Sequence, residues 1–513
     1  MERPAANKWI IALSVMLPTL MVIVDTSVVN VSLDHIRGSL SAGIDEATWS
    51  ISAYLSANAV IIPMSGWLSR LMGRKRYLII TIGLFTLSSL LCGMAWNIQS
   101  LVFFRILQGL AGGGLQPASQ AILLESFPPY QHGMAMAIFG VGMMFGPIMG
   151  PVMGGWITDN WSWHWIFFVN VPIGIVSLFM VMVFITDPHY LKRIKMKIDY
   201  LGLVFLGLGI GCLQMVLDRG RGKDWFSSEF IVWMSVIAVC ALIFFVLVEK
   251  YAEHAIVELK AFRDISFSLG NVIIFFIMFN LFGSIVLLPI YLQKLMGYTA
   301  LQSGIVLAPG GIASLFMLPV IGALVNRINP KLLTSIGVLI TGYSAYMMSL
   351  FSQQADFMTV LWPRVVMGLG LGMTMVPHMT LTLSHIPKQE MGNASSIFNL
   401  LRNLGGSFGV AVPTTVLAHR AQFHQVRLTE HLTQFDPGLR ESMHALAQNL
   451  QAKGFDPSLI QAKGLGMIYQ KVLNESYMMA FNDVFLMLAF TTFLMLLLIV
   501  FMKRVDHSNN RGH

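Results

Sequence analysis

The chain has 513 residues, 55% of them hydrophobic and 11% charged, with a formal net charge of +8. Soluble domains carry roughly 25% charged residues, so the composition excludes an ordinary soluble domain and describes a polytopic membrane protein. The positive excess follows membrane topology and is not a nucleic-acid signature; Cys92, Cys212 and Cys240 all fall in apolar runs, so no disulfide framework is suggested.

A span needs about 20 apolar residues. Runs of that kind predict spans near 10–32, 46–69, 77–96, 101–123, 133–157, 165–186, 200–217, 229–249, 267–290, 302–325, 332–351, 358–382, 392–416 and 480–502. No small-residue cleavage site follows the first run, which reads as a retained span. Orientation follows the cations of the short loops. With a cytoplasmic N-terminus, Arg70, Arg74, Lys75, Arg76, Lys192, Arg193, Lys195, Lys197, Lys250, Lys260 and Arg263 face inward. The short outward loops hold Arg37, Arg219, Arg221, Lys223 and Lys294. Both termini are therefore expected in the cytoplasm.

The first span carries Asp25 in Val-Ile-Val-Asp25-Thr26-Ser27-Val-Val-Asn30. A carboxylate at this depth costs about 2.5–3.5 kcal/mol on insertion scales and faces a cavity or a partner. It is either a group that loads and releases a proton or half of a fixed ion pair. The turn from Gly66 to Arg76 joins spans two and three; Gly66 and Gly73 permit a tight turn, and Arg74 could clamp a neighbouring helix end. In the fourth span Arg105 lies one turn from Gln108. Its guanidinium keeps its proton, so it either tunes a carboxylate or binds an acidic substrate.

The fifth span reads GVGMMFGPIMGPVMGG. Gly142, Gly146, Gly150 and Gly154 recur every four residues and share one helix face, open to close helix approach. Pro147 and Pro151 each remove an intrahelical hydrogen bond and bend the span. The segment is expected to form either a tight packing seam or a moving interface between two halves of the protein.

The chain repeats itself. Gly66-Trp-Leu-Ser-Arg70 is echoed by Gly322 to Arg327, Arg105 to Leu110 by Arg364 to Leu369, and Gly133 by Gly392, at offsets of 256 to 259 residues. A nearly constant offset predicts two related six-span halves with two extra spans between them and a binding site at the midplane. Asn30, Gln116, Arg364 and His378 are the polar positions expected to line that cavity. Arg364 and Arg402 could equally pair with helix-end carbonyls, and His378 is either a titrating group or a satisfied neutral one. The outward segment 417–479 shows helical spacing at Leu439, Met443, Leu446 and Leu450, then at Leu459, Leu465, Ile468 and Val472, with Asp456-Pro457 as a helix start. It predicts two amphipathic helices outside the membrane, packed on their own protein or displayed to a partner. Abundant Met and Phe suit a surface for varied apolar ligands. No phosphate loop, nucleophile–base set or metal-ligand spacing stands out, so neither an enzyme nor a cofactor or metal site is expected.

Together these motifs resemble the fourteen-span drug:proton antiporters of the major facilitator superfamily, in the EmrB/QacA branch. The residues carrying the resemblance are Asp25-Thr26-x-x-Val-Asn30, the Gly66–Lys75 turn, Arg105-x-x-Gln108-Gly109, Gly146-Pro147-x-x-Gly150-Pro151-x-x-Gly154-Gly155, and Trp163 to Gly174. The turn departs from the family pattern, with Arg70 where an Asp is usual. The resemblance implies an all-α polytopic fold with an N-terminal six-helix bundle at 1–190, two added helices at 191–265 and a C-terminal bundle at 266–513. It further implies export of hydrophobic or amphiphilic toxic compounds in exchange for H+ across the bacterial inner membrane. Asp25, Arg105 and Gln108 would couple the proton, and Gly66, Gly73, Arg74, Gly142, Gly146, Pro147, Gly150 and Gly154 would serve conformational change. The implied partners are a periplasmic membrane-fusion protein and an outer-membrane channel. The rival expectations are a metabolite importer and a non-transporting receptor.

Overall fold

The computed structural model describes residues 7–503 apart from 188–198, 252–255, 326, 431, 433–436 and 453–455. The cations Lys192, Arg193, Lys195 and Lys197 of the topology reading, and the side chains of Pro147 and Pro151, lie outside the described residues. Among the described residues the chain is helical, without strands. The first nine helices are α1 (Lys8–Val31), α2 (Leu33–Ser39), α3 (Ile44–Met72), α4 (Arg74–Gly93), α5 (Ile98–Gly112), α6 (Leu115–Ser126), α7 (His132–Asn160), α8 (Trp165–Phe168) and α9 (Asn170–Phe184). A pair follows, α10 (Tyr200–Arg219) and α11 (Glu229–Tyr251). The remainder are α12 (Ile265–Lys294), α13 (Ala300–Leu324), α14 (Pro330–Met348), α15 (Phe357–Leu383), α16 (Met391–Glu430), α17 (Pro437–Ala452) and α18 (Pro457–Phe501).

Polar caps start many of these helices. Asn7, Asp199, Asp264, Thr299, Asn329 and Asp356 each accept from a first-turn backbone N–H, satisfying a donor the helix itself cannot. Gly73, at φ +84°, is the single residue between α3 and α4. Among the described residues eleven helical stretches are long and apolar enough to cross a membrane. Leu84, Phe179, Trp233, Phe316 and Phe490 are each more than half exposed, as lipid-facing side chains are.

α1 to α9 pack largely among themselves, as do α12 to α16 with α18. The two sets meet where α3 and α6 touch α16 and where α7 touches α13 and α15. α10 packs on α11 and also reaches α3 and α16.

Two expectations need correction. The glycine face of α7 does not lie between the two sets. A Cβ at Gly142 would strike Met16, at Gly146 Ile23, at Gly150 Ser27 and at Gly154 Val28, so this face is seated along α1 within the first set. The surface that crosses to the second set is another one, where Gly140 faces Leu318 and where Gly322 of α13 faces Ala137 and Gly133. Four-residue spacing defines a face but not the neighbour it meets.

The segment 417–479 also differs. α16 continues to Glu430 and α18 starts at Pro457, so both outer helices run on beyond their expected spans. Of the two amphipathic helices expected, α17 is separate, whereas Leu459 to Val472 form the first turns of α18 and are continuous with the last span. After Pro457 no proline interrupts α18, and Gly464 and Gly466 alone are tolerated by a helix at about 1 kcal/mol each.

Candidate functional site

Asp25 lies in the C-terminal half of α1 and is 1% exposed. Arg105 and Gln108 are three residues apart on α5 and so share a face; they are 1% and 0% exposed. Arg105 donates through Nη1 to Asp25 Oδ2 at 2.7 Å and to Gln108 Oε1 at 2.7 Å. Gln108 Nε2 donates to Asp25 Oδ1 at 3.0 Å. A fourth side chain completes the cluster: Asn170, at the start of α9, donates through Nδ2 to Asp25 Oδ1 at 2.7 Å and to Ser89 Oγ at 2.9 Å. Ser89 in turn donates to the Phe167 carbonyl at 3.0 Å.

The arginine has other anchors. Its Nε donates to the Ser50 carbonyl at 3.2 Å, and its guanidinium lies over the Tyr54 ring at 4.0 Å, an attractive cation–π placement. These neutral partners fix Arg105 whether or not Asp25 is charged. The arrangement is therefore a buried carboxylate beside a cation that has anchors of its own.

A second group of sequence-predicted residues sits where the two sets touch. A Cβ on Gly66 would lie 2.8 Å from the Gly392 carbonyl and 2.9 Å from Asn393 Cα, so only glycine allows this approach of α3 to α16. Ser65 Oγ and Ser396 Oγ are 2.8 Å apart beside it. Arg74 pairs with Glu125 on α6, both nearly buried. The unusual Arg70 pairs with Glu258, in the segment after the inserted helices. Asn393 holds that segment twice, accepting from the Glu258 N–H and donating to its carbonyl, each at 3.1 Å.

The four expected cavity residues separate. Asn30 is exposed at the end of α1. Gln116 of α6 is half-buried and accepts from Arg402 of α16, between the two sets. His378 and Arg364 are buried inside the second set. His378 is 0% exposed, with Nε2 3.0 Å from the Gly270 carbonyl. Arg364 is 6% exposed, donating to Ser284 Oγ at 3.0 Å and toward Met367 Sδ at 3.1 Å. Each meets a polar atom inside the second set, while His378 Nδ1 and Arg364 Nε are buried without a hydrogen-bond partner. The site residues that sequence reasoning left unassigned are Asn170, Ser89 and Tyr54; Asn170 lies within the Trp163–Gly174 motif. Among the described residues no cluster of His, Cys, Asp or Glu could hold a metal ion.

Comparison with known proteins places the chain. The Major Facilitator Superfamily profile matches residues 15–410. The fatty acid resistance protein FarB of Neisseria gonorrhoeae is 37% identical over 448 residues, covering 86% of this chain and 87% of that one. The multidrug export protein EmrB of Haemophilus influenzae is 36% identical over 440 residues, covering 86% of each. Among solved structures, the human organic anion transporter MFSD10 superimposes with a TM-score of 0.60 at 12% identity, over 96% of this chain and 100% of that one. The likeness to this last structure is one of fold.

Proposed function

This chain belongs to the Major Facilitator Superfamily, and from that premise we propose that it is a proton-driven multidrug efflux transporter of the bacterial inner membrane. Relatives named for multidrug export and fatty acid resistance, matched over most of both chains, support export of hydrophobic or amphiphilic toxic compounds. The observation that carries proton coupling is the buried Asp25 carboxylate, held by Arg105, Gln108 and Asn170. Protonation of Asp25 weakens its tie to Arg105 and loosens α1 against α5. Since α1 also carries the glycine-lined face of α7, that change reaches the helix that touches the second set. Each charge moved inward yields about 2.3 kcal/mol per 100 mV, a roughly 50-fold concentration ratio, so one or two protons suffice.

The halves rock about contacts such as Gly66 on Gly392. Both termini lie in the cytoplasm, following the loop cations. The extensions of α16 and α18, with α17, project to the opposite side, where a membrane-fusion protein and an outer-membrane channel would complete a tripartite pump. The test is Asp25→Asn in proteoliposomes. Drug-triggered proton flux should vanish while drug binding persists; wild-type proton-coupled export by the variant would refute the coupling.

A further inference from the structure

Three polar rungs tie α16 to the first set of helices. Ser396 meets Ser65 on α3, Asn399 donates to Gln120 Oε1 on α6, and Arg402 donates through Nη2 to Gln116 Oε1, with its Nη1 3.8 Å from Met143 Sδ on α7. The first two rungs are neutral pairs. The third is a guanidinium answered by one amide oxygen and a thioether. Arg70, Arg74, Arg105 and Arg420 each meet a carboxylate. Arg402 forms no ion pair among the described residues.

A guanidinium at this depth cannot shed its proton, and a charge with only neutral partners there is costly. Arg364 is in a similar electrostatic position but is sealed inside the second set. Arg402 is half-buried and stands where the two sets meet. Its planar fork matches a carboxylate bidentately. Apolar surface is at hand in Met143 and in the half-buried Phe275 and Phe408, whose ring centroids are 5.5 Å apart two turns further along α16.

We propose that Arg402, with Gln116, is a headgroup subsite in the transport path, and that it takes amphiphiles carrying a carboxylate. This rests on the reading of the protein as an exporter of amphiphiles and adds the charge of one substrate class. On binding, the carboxylate replaces Gln116 as the partner of the guanidinium, and the freed amide can donate to it through Nε2. The ligand thereby breaks a rung between the two sets.

Equilibrium binding to the full-length protein in nanodiscs of zwitterionic lipid tests this, with empty nanodiscs subtracted. The probes are dodecanoate, dodecanol and dodecyltrimethylammonium, which share a tail and differ in head. Wild type should hold dodecanoate more tightly than dodecanol. R402Q should weaken dodecanoate about tenfold or more, the loss expected for a charge-assisted hydrogen-bonded contact. R402K should keep part of the binding, and dodecyltrimethylammonium should bind no more weakly to R402Q than to wild type. Unchanged dodecanoate binding in R402Q, or equal loss of all three probes, overturns the subsite. If R402Q does not fold, wild type decides alone: equal affinity for dodecanoate and dodecanol overturns it. Asp25→Asn should retain dodecanoate binding while losing proton flux, so failure of the coupling scheme and failure of the subsite read out separately.

Discussion

Arg105 and Arg364 are separated by 259 residues, and so are Asp25 and Ser284, and Gln108 and Met367. The structure joins each trio in space, one in each set of helices. In the first, the guanidinium meets a carboxylate and an amide; in the second it meets a hydroxyl and a thioether at the same places. Arg105 Nε has the Ser50 carbonyl, whereas Arg364 Nε is buried without a hydrogen-bond partner. One scaffold thus appears twice with different chemistry. A carboxyl group is an acid and a serine hydroxyl is not, so only the first copy pairs its guanidinium with an ionisable partner. The second keeps the cation without an acid beside it.

The most damaging way to probe this contrast is to remove each arginine. Arg105→Ala leaves Asp25 buried beside two amides and should cost about 3–5 kcal/mol, as breaking a buried pair does. The variant should melt far below wild type in detergent, and Asp25→Asn added to it should recover part of the loss. Arg364→Met removes a guanidinium that has no counter-charge and should leave the melting temperature unchanged or raise it. If the two arginines prove equally necessary for stability, the asymmetry between the copies is not energetic.

A gentler probe supplies what the second copy lacks. Ser284→Asp places a carboxylate beside Arg364 and should raise the melting temperature, worth about 1.5–3 kcal/mol as a hydrogen bond to a charged group. It should not restore proton flux to Asp25→Asn. Met367 stands where Gln108 stands in the first copy, so the new carboxylate lacks an amide donor, and it lies away from the α1–α7 contact. Rescue of flux by Ser284→Asp would show the two copies to be interchangeable.

Much of this contrast was legible in the sequence. Charges in apolar runs named Asp25 and Arg105, and a constant offset named Arg364. Apolar length located most helices, and the fold it implies agrees with the family match. What could not be read was direction. The α7 glycines announced a bare face, but only packing shows that α1 fills it. His378 and Arg364 looked like cavity residues because polar side chains in spans are expensive, yet Gly270 and Ser284, both distant in sequence, answer them locally. Asn170 reaches Asp25 across 145 residues, a separation at which spacing along one helix says nothing. The outer helices carried the right periodicity, but periodicity does not say whether one helix ends before the next begins.

The smallest expected effect concerns another place where this chain recruits an acid for an arginine. Asp25 is a buried partner; Glu258 is a half-buried one that water still reaches, its pair with Arg70 having side chains 22% and 25% exposed. Water and salt screen such a pair, and exposed pairs are worth about 0.2–1 kcal/mol. Arg70→Asp restores the residue usual for this turn but sets it against Glu258, so it should lower the melting temperature slightly and slow transport. Glu258→Arg alone should do much the same, and the double exchange should recover most of both losses. The coupling in this double-mutant cycle should shrink as salt is raised from low to physiological ionic strength, whereas the cycle between Asp25 and Arg105 should be insensitive to salt because bulk ions do not reach it. Equal salt dependence in the two cycles would mean that the Asp25 cluster is open to water, and that the burial on which the contrast depends is not maintained.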